Sequence, residues 1–179
     1  MLREILIAGF GGQGILFCGK FLAYKGLLDD KQVSWLPSYG PAMRGGTANC
    51  SIVLSDENIG SPIVLYPDVL VAMNKPSFEK YEKEIKTGGL CFVDTTLIDS
   101  KEERKDITYF NIPATKIATD NGIAKLANMV MIGYVVKMLD EINKDDFTKA
   151  MGKLVPANKK ELLDMNMKAL NLGLNFVSP

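Results

Sequence analysis

The chain has 179 residues, of which 47% are hydrophobic, and its 21 basic and 21 acidic side chains cancel to a net charge of zero. This length and apolar content suit one core, so we expect residues 1–179 to form a single domain. A balanced charge without a basic run argues against nucleic acid or an anionic membrane as a partner. No apolar stretch reaches the roughly 20 residues that span a bilayer, and no signal-peptide pattern is present, which indicates a cytoplasmic location.

Predicted strands and helices alternate along the chain. Hydrophobic periodicity predicts strands at Ile5–Ala8, Gln32–Leu36, Thr47–Leu54, Asp68–Met73, Leu90–Asp94 and Ile107–Ile112. It predicts helices at Ile15–Leu28, Ser77–Ile85, Ile123–Ile142, Asp145–Leu154 and Lys159–Leu174. Such alternation predicts a three-layer α/β/α domain with a mostly parallel sheet.

Three of these elements carry further expectations. Pro37 is expected to stop the second strand. Thr47–Leu54 alternates polar and apolar residues, which predicts a strand with one buried face. The stretch Ala127–Leu139 is apolar around most of its circumference, so it either lies in the core or is covered by another chain.

The side chains most used for catalysis and metal binding are scarce. Histidine is absent, which removes the commonest general base and metal ligand. Cys18, Cys50 and Cys91 are far apart and lack the spacing of a zinc or iron–sulfur site, so we expect them to be buried apolar residues. We therefore assign no catalytic residue and no metal ligand to this chain.

A glycine-rich segment follows the first predicted strand and precedes the first helix. Gly9 is followed by the candidate site residues Gly11, Gly12, Gln13 and Gly14, in the pattern G-x-G-x-x-G. Glycines let the backbone approach a ligand, and the N–H groups at the helix start can hold a phosphate or carboxylate. The pattern is equally consistent with a tight strand-to-helix turn that binds nothing.

A dinucleotide site at this segment would require a further residue. The ribose hydroxyl is normally held by an acidic side chain about 20 positions on, at the end of the second strand. Asp29 and Asp30 have that spacing, but they precede the strand, which ends in Trp35-Leu36-Pro37 without a carboxylate. The sequence therefore favours a different anion, or a structural role, over NAD(P).

A second glycine-rich segment follows the second predicted strand. It reads Ser38-Tyr39-Gly40-Pro41-Ala42-Met43-Arg44-Gly45-Gly46-Thr47. Its candidate site residues are Tyr39, Gly40, Arg44, Gly45 and Gly46. An arginine offers a planar donor group that suits carboxylate or phosphate, and the adjacent glycines permit close backbone approach. The alternative is a structural turn whose arginine pairs with a nearby acid.

Taken in order, these motifs resemble the gamma subunit of the 2-oxoacid:ferredoxin oxidoreductases. The resemblance extends over nearly the whole chain, through Gly11–Gly14, Tyr39–Pro41, Met43–Thr47, Asp68–Met73, Lys86–Leu90, Pro113-Ala114, Asn128–Val130 with Gly133, and Asn166–Ala169 with Gly173. Two positions depart from the family pattern, which has glutamate in place of Ala42 and often histidine in place of Asn49. Neither departure touches the Arg44-Gly45-Gly46 core.

The resemblance implies an enzyme subunit that is inactive alone. Such enzymes oxidatively decarboxylate a 2-oxoacid, transfer the acyl group to coenzyme A and pass electrons to ferredoxin. Thiamine diphosphate and iron–sulfur clusters would lie on alpha, beta and ferredoxin-like delta subunits, because this sequence has no thiamine-type Gly-Asp-Gly segment and no cluster-binding cysteine run. The two glycine-rich loops would face the assembled active centre, contacting coenzyme A or closing the pocket.

Two other functions remain open at the level of sequence. One is a free-standing nucleotide-binding oxidoreductase, and the other is a non-catalytic scaffold that uses both loops for docking. Polar residues at strand ends, Asp68 and Asp94-Thr95-Thr96, are candidates for ligand contacts or for turn caps. The 2-oxoacid itself is not specified, and pyruvate, 2-oxoglutarate, branched-chain 2-oxoacids and indolepyruvate are all compatible with the sequence.

Overall fold

The computed structural model describes residues 1–38, 47–99 and 104–178 and contains one six-stranded sheet. The strands are β1 (Leu2–Phe10), β2 (Gln32–Ser38), β3 (Thr47–Ser55), β4 (Val69–Ala72), β5 (Leu90–Asp94) and β6 (Thr108–Ile112). They lie in the order β2-β3-β1-β4-β5-β6. The β3 strand is antiparallel to β1 and β2, whereas β1, β4, β5 and β6 pair in parallel. The predicted mostly parallel sheet is confirmed.

Six α-helices accompany the strands within the described residues. They are α1 (Ile15–Leu28), α2 (Lys75–Tyr81), α3 (Ala114–Asp120), α4 (Ala127–Met138), α5 (Phe147–Gly152) and α6 (Lys160–Leu174). The bounds of α1 are those predicted from its apolar spacing. The predicted helix Ile123–Ile142 is shorter, because a 3-10 turn at Ala124–Leu126 precedes α4.

Two expectations about strands are corrected. Pro37 does not stop β2, which continues to Ser38; β2 is an edge strand, where a proline without an N–H is tolerated. The β3 strand is not buried on one face alone. Ser51, Val53 and Ser55, on the face expected to be exposed, are also buried.

The two faces of the sheet are covered unequally. One face carries the main core, in which side chains of α1, α3, α4, α5 and α6 pack on the strands. On the other face a smaller cluster joins α2 to β4 and β5, with Phe78 against Leu70 and Cys91. The three-layer prediction is confirmed, with a thin second helical layer. Nearer β2 and β3, the segment 56–67 lies over this second face.

The α4 helix is buried between the sheet and α6. All nine residues from Asn128 to Val136 are buried, so its all-round apolar character reflects the core. Glycines allow α4 and α6 to approach closely. A Cβ on Gly133 would lie 2.1 Å from the carbonyl oxygen of Leu170, and one on Gly173 would lie 1.9 Å from that of Val130. Backbone therefore packs on backbone at this crossing.

Candidate functional site

The two glycine-rich loops leave the sheet at the same edge. Phe10, the last residue of β1, pairs with Thr47, the first residue of β3, and Ser38 at the end of β2 pairs with Asn49. Residues 11–14 therefore begin beside the strand ends, Ser38 and Thr47, that flank the second segment. The second loop contains the candidate residues Tyr39, Gly40, Arg44, Gly45 and Gly46 and lies outside the described residues.

The first loop requires glycine at two positions. Gly12 and Gly14 have φ angles of 99° and 72°, a region that side chains with a Cβ rarely adopt. Space around Gly12 is open, so its requirement is conformational alone. At Gly14 a Cβ would also lie 2.3 Å from Nδ2 of Asn128, so a side chain there would displace the Asn128 amide as well.

Gln13 is used internally. Its Oε1 accepts a hydrogen bond from the Phe10 backbone N–H at 2.6 Å, and its Nε2 donates to the carbonyl of Met73 at 2.9 Å. Because Met73 follows β4, the Gln13 side chain ties the loop to the end of the neighbouring strand. These hydrogen bonds give Gln13 a positioning role in the loop, and its contact with a ligand stays a prediction.

The N-terminus of α1 is open to an anion. Its N-cap is Gly14, which has no side chain to accept from the first-turn N–H groups, and the first turn contains no acidic residue. Gly11 and Gly12 in front of it are exposed. A 14-residue helix presents partial positive charge and backbone N–H groups at this end, so a phosphate or carboxylate placed there would be stabilised.

Asn128 is a contact of this loop that its local sequence does not predict. It is buried at the start of α4, and its Nδ2 donates to the carbonyl of Gly14 at 3.3 Å. Its Oδ1 has no hydrogen-bond partner among the described residues. A polar residue in a largely apolar helix indicates that its side chain has a specific partner. The sequence does not identify that partner, because Gly14 lies 114 residues away.

The polar strand ends are structural. Asp94 is fully buried, and its carboxylate accepts from the N–H of Thr96 and from both the N–H and hydroxyl of Thr115. It thereby joins β5 to α3. Asp68 lies before β4, at the edge opposite the loops, where it accepts from the Glu4 N–H and pairs with Lys86. Neither carboxylate is available to a ligand at the loop edge.

The acidic residues with dinucleotide spacing are at the wrong edge. Asp29 and Asp30 connect the end of α1 to the start of β2, whereas the glycine-rich loop is at the start of α1. Asp29 forms an ion pair with the buried Lys25 and accepts from the N–H of Asn143. A ribose at the loop cannot reach these carboxylates, which argues against the NAD(P) alternative.

The three cysteines are buried, as predicted. Burial raises the pKa of Cys50 to about 12 and raises the pKa of Cys18 as well. Within residues 1–38, 47–99 and 104–178, no three His, Cys, Asp or Glu side chains are grouped so that they could hold a metal ion. Over the same ranges, no helix is both long and apolar enough to cross a bilayer.

Family comparison gives a match over most of the chain. Residues 4–176 match the family described as pyruvate ferredoxin/flavodoxin oxidoreductase. The chain is 38% identical over 174 residues to the ketoisovalerate oxidoreductase subunit VorA of Methanothermobacter thermautotrophicus, covering 97% of this chain but only 36% of that protein. It thus spans about a third of the length of this relative. The 2-oxoglutarate synthase subunit KorC of Methanocaldococcus jannaschii is 37% identical over 176 residues, with 97% and 92% covered.

Solved structures share the fold. A gamma subunit of a keto/oxoacid ferredoxin oxidoreductase from Geobacter sulfurreducens superposes with a TM-score of 0.84 at 27% identity, covering 97% of this chain and 94% of that one. The 2-oxoglutarate:ferredoxin oxidoreductase from Magnetococcus marinus, solved with 2-oxoglutarate, coenzyme A and succinyl-CoA, gives a TM-score of 0.86 at 21% identity. That likeness covers 99% of this chain and 32% of the other.

Proposed function

Because this chain belongs to the pyruvate ferredoxin/flavodoxin oxidoreductase family, we propose that it is the gamma subunit of a multi-subunit 2-oxoacid:ferredoxin oxidoreductase. The observation that carries the proposal is the pairing of Phe10 with Thr47, which places the start of the first glycine-rich loop beside the residue that follows the second glycine-rich segment. The complex would convert a 2-oxoacid and coenzyme A to acyl-CoA and carbon dioxide. Two electrons and a proton would be released, with the electrons going to two ferredoxin molecules.

The redox cofactors of this enzyme do not fit the residues of this chain. Its three cysteines are buried and far apart in sequence, no three candidate metal ligands are grouped among the described residues, and it contains no histidine. We therefore place thiamine diphosphate and the iron–sulfur clusters on alpha, beta and delta subunits. On this basis the chain acts within the cytoplasm as part of the complex and has no activity alone.

We assign coenzyme A, or the closed active centre around it, to the loop edge. The N-terminus of α1 supports this assignment, because its N-cap glycine and its first turn without acidic residues suit a phosphate. Gly11, Gly12 and Gly14 would supply backbone N–H groups, while Gln13 holds the loop to β4. The neighbouring loop would add Arg44, whose guanidinium can make paired hydrogen bonds to a phosphate.

The test is Arg44→Ala in the complex reconstituted with its partner subunits. Loss of a charge-assisted contact should lower turnover, or raise the Michaelis constant for coenzyme A, by roughly ten- to a hundredfold. Arg44→Lys should recover little activity, since an ammonium group cannot reproduce the planar contact. Arg3→Ala is the matched control, because Arg3 pairs with Glu141 away from the loop edge.

Two results would contradict the proposal. A fully assembled Arg44→Ala complex with wild-type kinetics would limit the second loop to an architectural role. An isolated wild-type chain that is brown with stoichiometric iron, or that reduces viologen with a 2-oxoacid, would remove the assignment of cofactors to partners. The alternative, a free-standing nucleotide-binding oxidoreductase, requires micromolar binding of NADH to the isolated chain, which calorimetric titration measures.

A further inference from the structure

Among the described residues, no helix covers one half of the second sheet face. The α2 helix packs on β4 and β5, whereas the described segment that overlies β2, β3 and β1 on that side is 56–67. Leu36, Ser51 and Leu6 form a cross-strand row on this face. Within the chain's described parts, this is the region where an α/β sheet would ordinarily carry a further helix.

The segment presents its apolar side chains outward. Ile63, Leu65 and Tyr66 are 57%, 70% and 60% exposed, and Leu36 at the sheet edge is 40% exposed. These four residues define what we call the 63–66 surface. Leu36 is grouped with this segment because it pairs with Ser51, which lines the same groove as Leu65. Contiguous exposed apolar side chains mark interaction sites, because a free surface of this kind lowers solubility without adding stability.

A groove adjoins this surface and extends it towards α2. Leu6 and Ser51 form its floor, and Leu65 and Tyr81 line its sides. The Tyr81 hydroxyl accepts a hydrogen bond from Asn49 Nδ2 at 3.0 Å, which fixes that wall to β3. An aromatic and aliphatic centre is typical of protein–protein interfaces.

Lys80, Lys83 and Glu84 line the same groove, so charges of both signs border its apolar centre. A polar border of this kind is the other general feature of protein–protein interfaces. The apolar centre of the groove and its charged border together form a patch with the composition of a protein–protein interface. A partner can contact this patch without any movement of the described residues.

We propose that the 63–66 surface docks on the polypeptide that corresponds to the remaining part of the longer VorA relative, an inference that rests on the proposed function. This chain matches only 36% of that relative, so there the same domain shares one chain with roughly twice its own length. Domains of one chain meet through interfaces of about 600–1,500 Å². Where the rest of the enzyme is a separate polypeptide, the equivalent contact has to form between chains.

The position of the surface agrees with this occupant. Leu36 of the 63–66 surface lies in β2, the strand that precedes residues 39–46 in the chain. Asn49, which lines the groove, lies two residues after the start of β3. A polypeptide seated on the surface therefore also reaches the loop edge. The exposed Leu27 of α1 belongs to the opposite side of the sheet and serves as a control.

The experiment begins with the tagged full-length chain, purified from its source organism with whatever binds it. A copurified protein is accepted as the proposed partner only if its peptide sequences match the part of VorA that this chain does not cover. That polypeptide, produced recombinantly, is then titrated with wild-type chain, Leu65→Asp and Leu27→Asp. Leu65→Asp should weaken binding by at least about thirtyfold, the loss typical of an interface hot spot, whereas Leu27→Asp should change it less than about threefold.

A second measurement protects the test against misfolding. Both variants replace exposed side chains, so their thermal unfolding should match that of the wild type. In a chain with a photocrosslinking phenylalanine analogue in place of Tyr66, crosslinks should form to the same partner polypeptide.

Wild-type affinity for Leu65→Asp would overturn the inference. Crosslinks from position 66 to a second copy of this chain would also overturn it and would make the surface a homodimer contact. Both results leave the enzyme assignment intact, provided that the wild-type complex forms and is active. If the wild-type chain binds no such polypeptide, the proposed function fails first and the inference fails with it.

Discussion

Replacing Gly133 with alanine tests how tightly α4 and α6 are packed. The added Cβ would lie 2.1 Å from the Leu170 carbonyl oxygen, whereas ordinary contact begins at 3.4 Å. Because the obstacle is backbone, the two helices have to separate by about 1 Å, which places the cost near the upper end of the 1–3 kcal/mol typical of overpacking. Alanine regains about 1 kcal/mol through its greater helix propensity. The expected net loss is therefore about 2 kcal/mol, or about 4–8 °C in Tm for a chain of this length.

The control for this substitution is Gly152→Ala at the end of α5. No atom lies within 4 Å of a Cβ built there, and its φ is not in the left-handed region. The same change of residue should then leave stability unchanged or raise it by up to about 1 kcal/mol. Circular dichroism during thermal and urea unfolding measures both variants.

A double-mutant cycle adds a sharper criterion. Gly173→Ala produces a clash of 1.9 Å with the Val130 carbonyl at the same helix crossing. One separation of the helices relieves both clashes, so the double variant should lose less stability than the sum of the single losses, by about 0.5 kcal/mol or more. A Gly133→Ala protein as stable as the wild type, with additive behaviour in the cycle, would refute the described packing of α4 on α6.

Three further predictions concern charge, thiols and a buried carboxylate. The guanidinium of Arg104 lowers the pKa of Asp106 to about 2 from an unfolded value of about 3.9, so this stabilisation is present above the unfolded pKa and is lost as the pH falls through 2. In Asp106→Asn the free energy of unfolding, measured by urea unfolding, should therefore fall less steeply between about pH 4 and pH 2 than in the wild type. An equally steep fall in the variant would contradict this prediction. Ellman's reagent at about pH 8 should detect no reactive thiol in the native chain and all three after denaturation, because all three thiols are buried and burial also raises the pKa of Cys18 and Cys50. Asp94→Ala should destabilise the fold by about 3 kcal/mol, since it leaves the Thr96 and Thr115 donors without their acceptor, and a near-neutral effect on Tm would show that this junction is dispensable.

The sequence predicts the bounds of an element well when the residues of that element alone determine its conformation. The bounds of α1 follow from its apolar spacing, because a glycine in the left-handed region precedes it and its own apolar side chains pack on the sheet. The position of the first loop, between β1 and α1, follows equally directly. Of the two alternatives that the sequence left open for α4, the structure shows burial in the core of this chain, and the predicted burial of the cysteines is confirmed. Both follow from the free energy gained when apolar side chains leave water.

Elements that depend on distant partners were missed. The α3 helix (Ala114–Asp120) buries only Ala114 and Ala118, too narrow an apolar stripe to be recognised, and its N-terminus is held by Asp94 from β5. The contact of Asn128 with Gly14 and the second buried face of β3 likewise depend on tertiary contacts. For the candidate site, the sequence predicts which loops matter. The strand register then adds that the strand ends flanking the two loops are paired, and the hydrogen bonds of Gln13 add that its side chain supports the first loop.

The burial of α4 beneath α6 has a consequence for biosynthesis. The ribosome delivers α4 before α6, and about 36 residues separate Met138 from Leu174. At a synthesis rate of 5–20 residues per second, the almost wholly apolar α4 helix remains uncovered for roughly 2–7 s until α6 has been synthesised. During that interval it is a binding site for chaperones and a point of aggregation between nascent chains. Slow translation across residues 139–160 should therefore lower the yield of folded protein more than the same delay placed before α4.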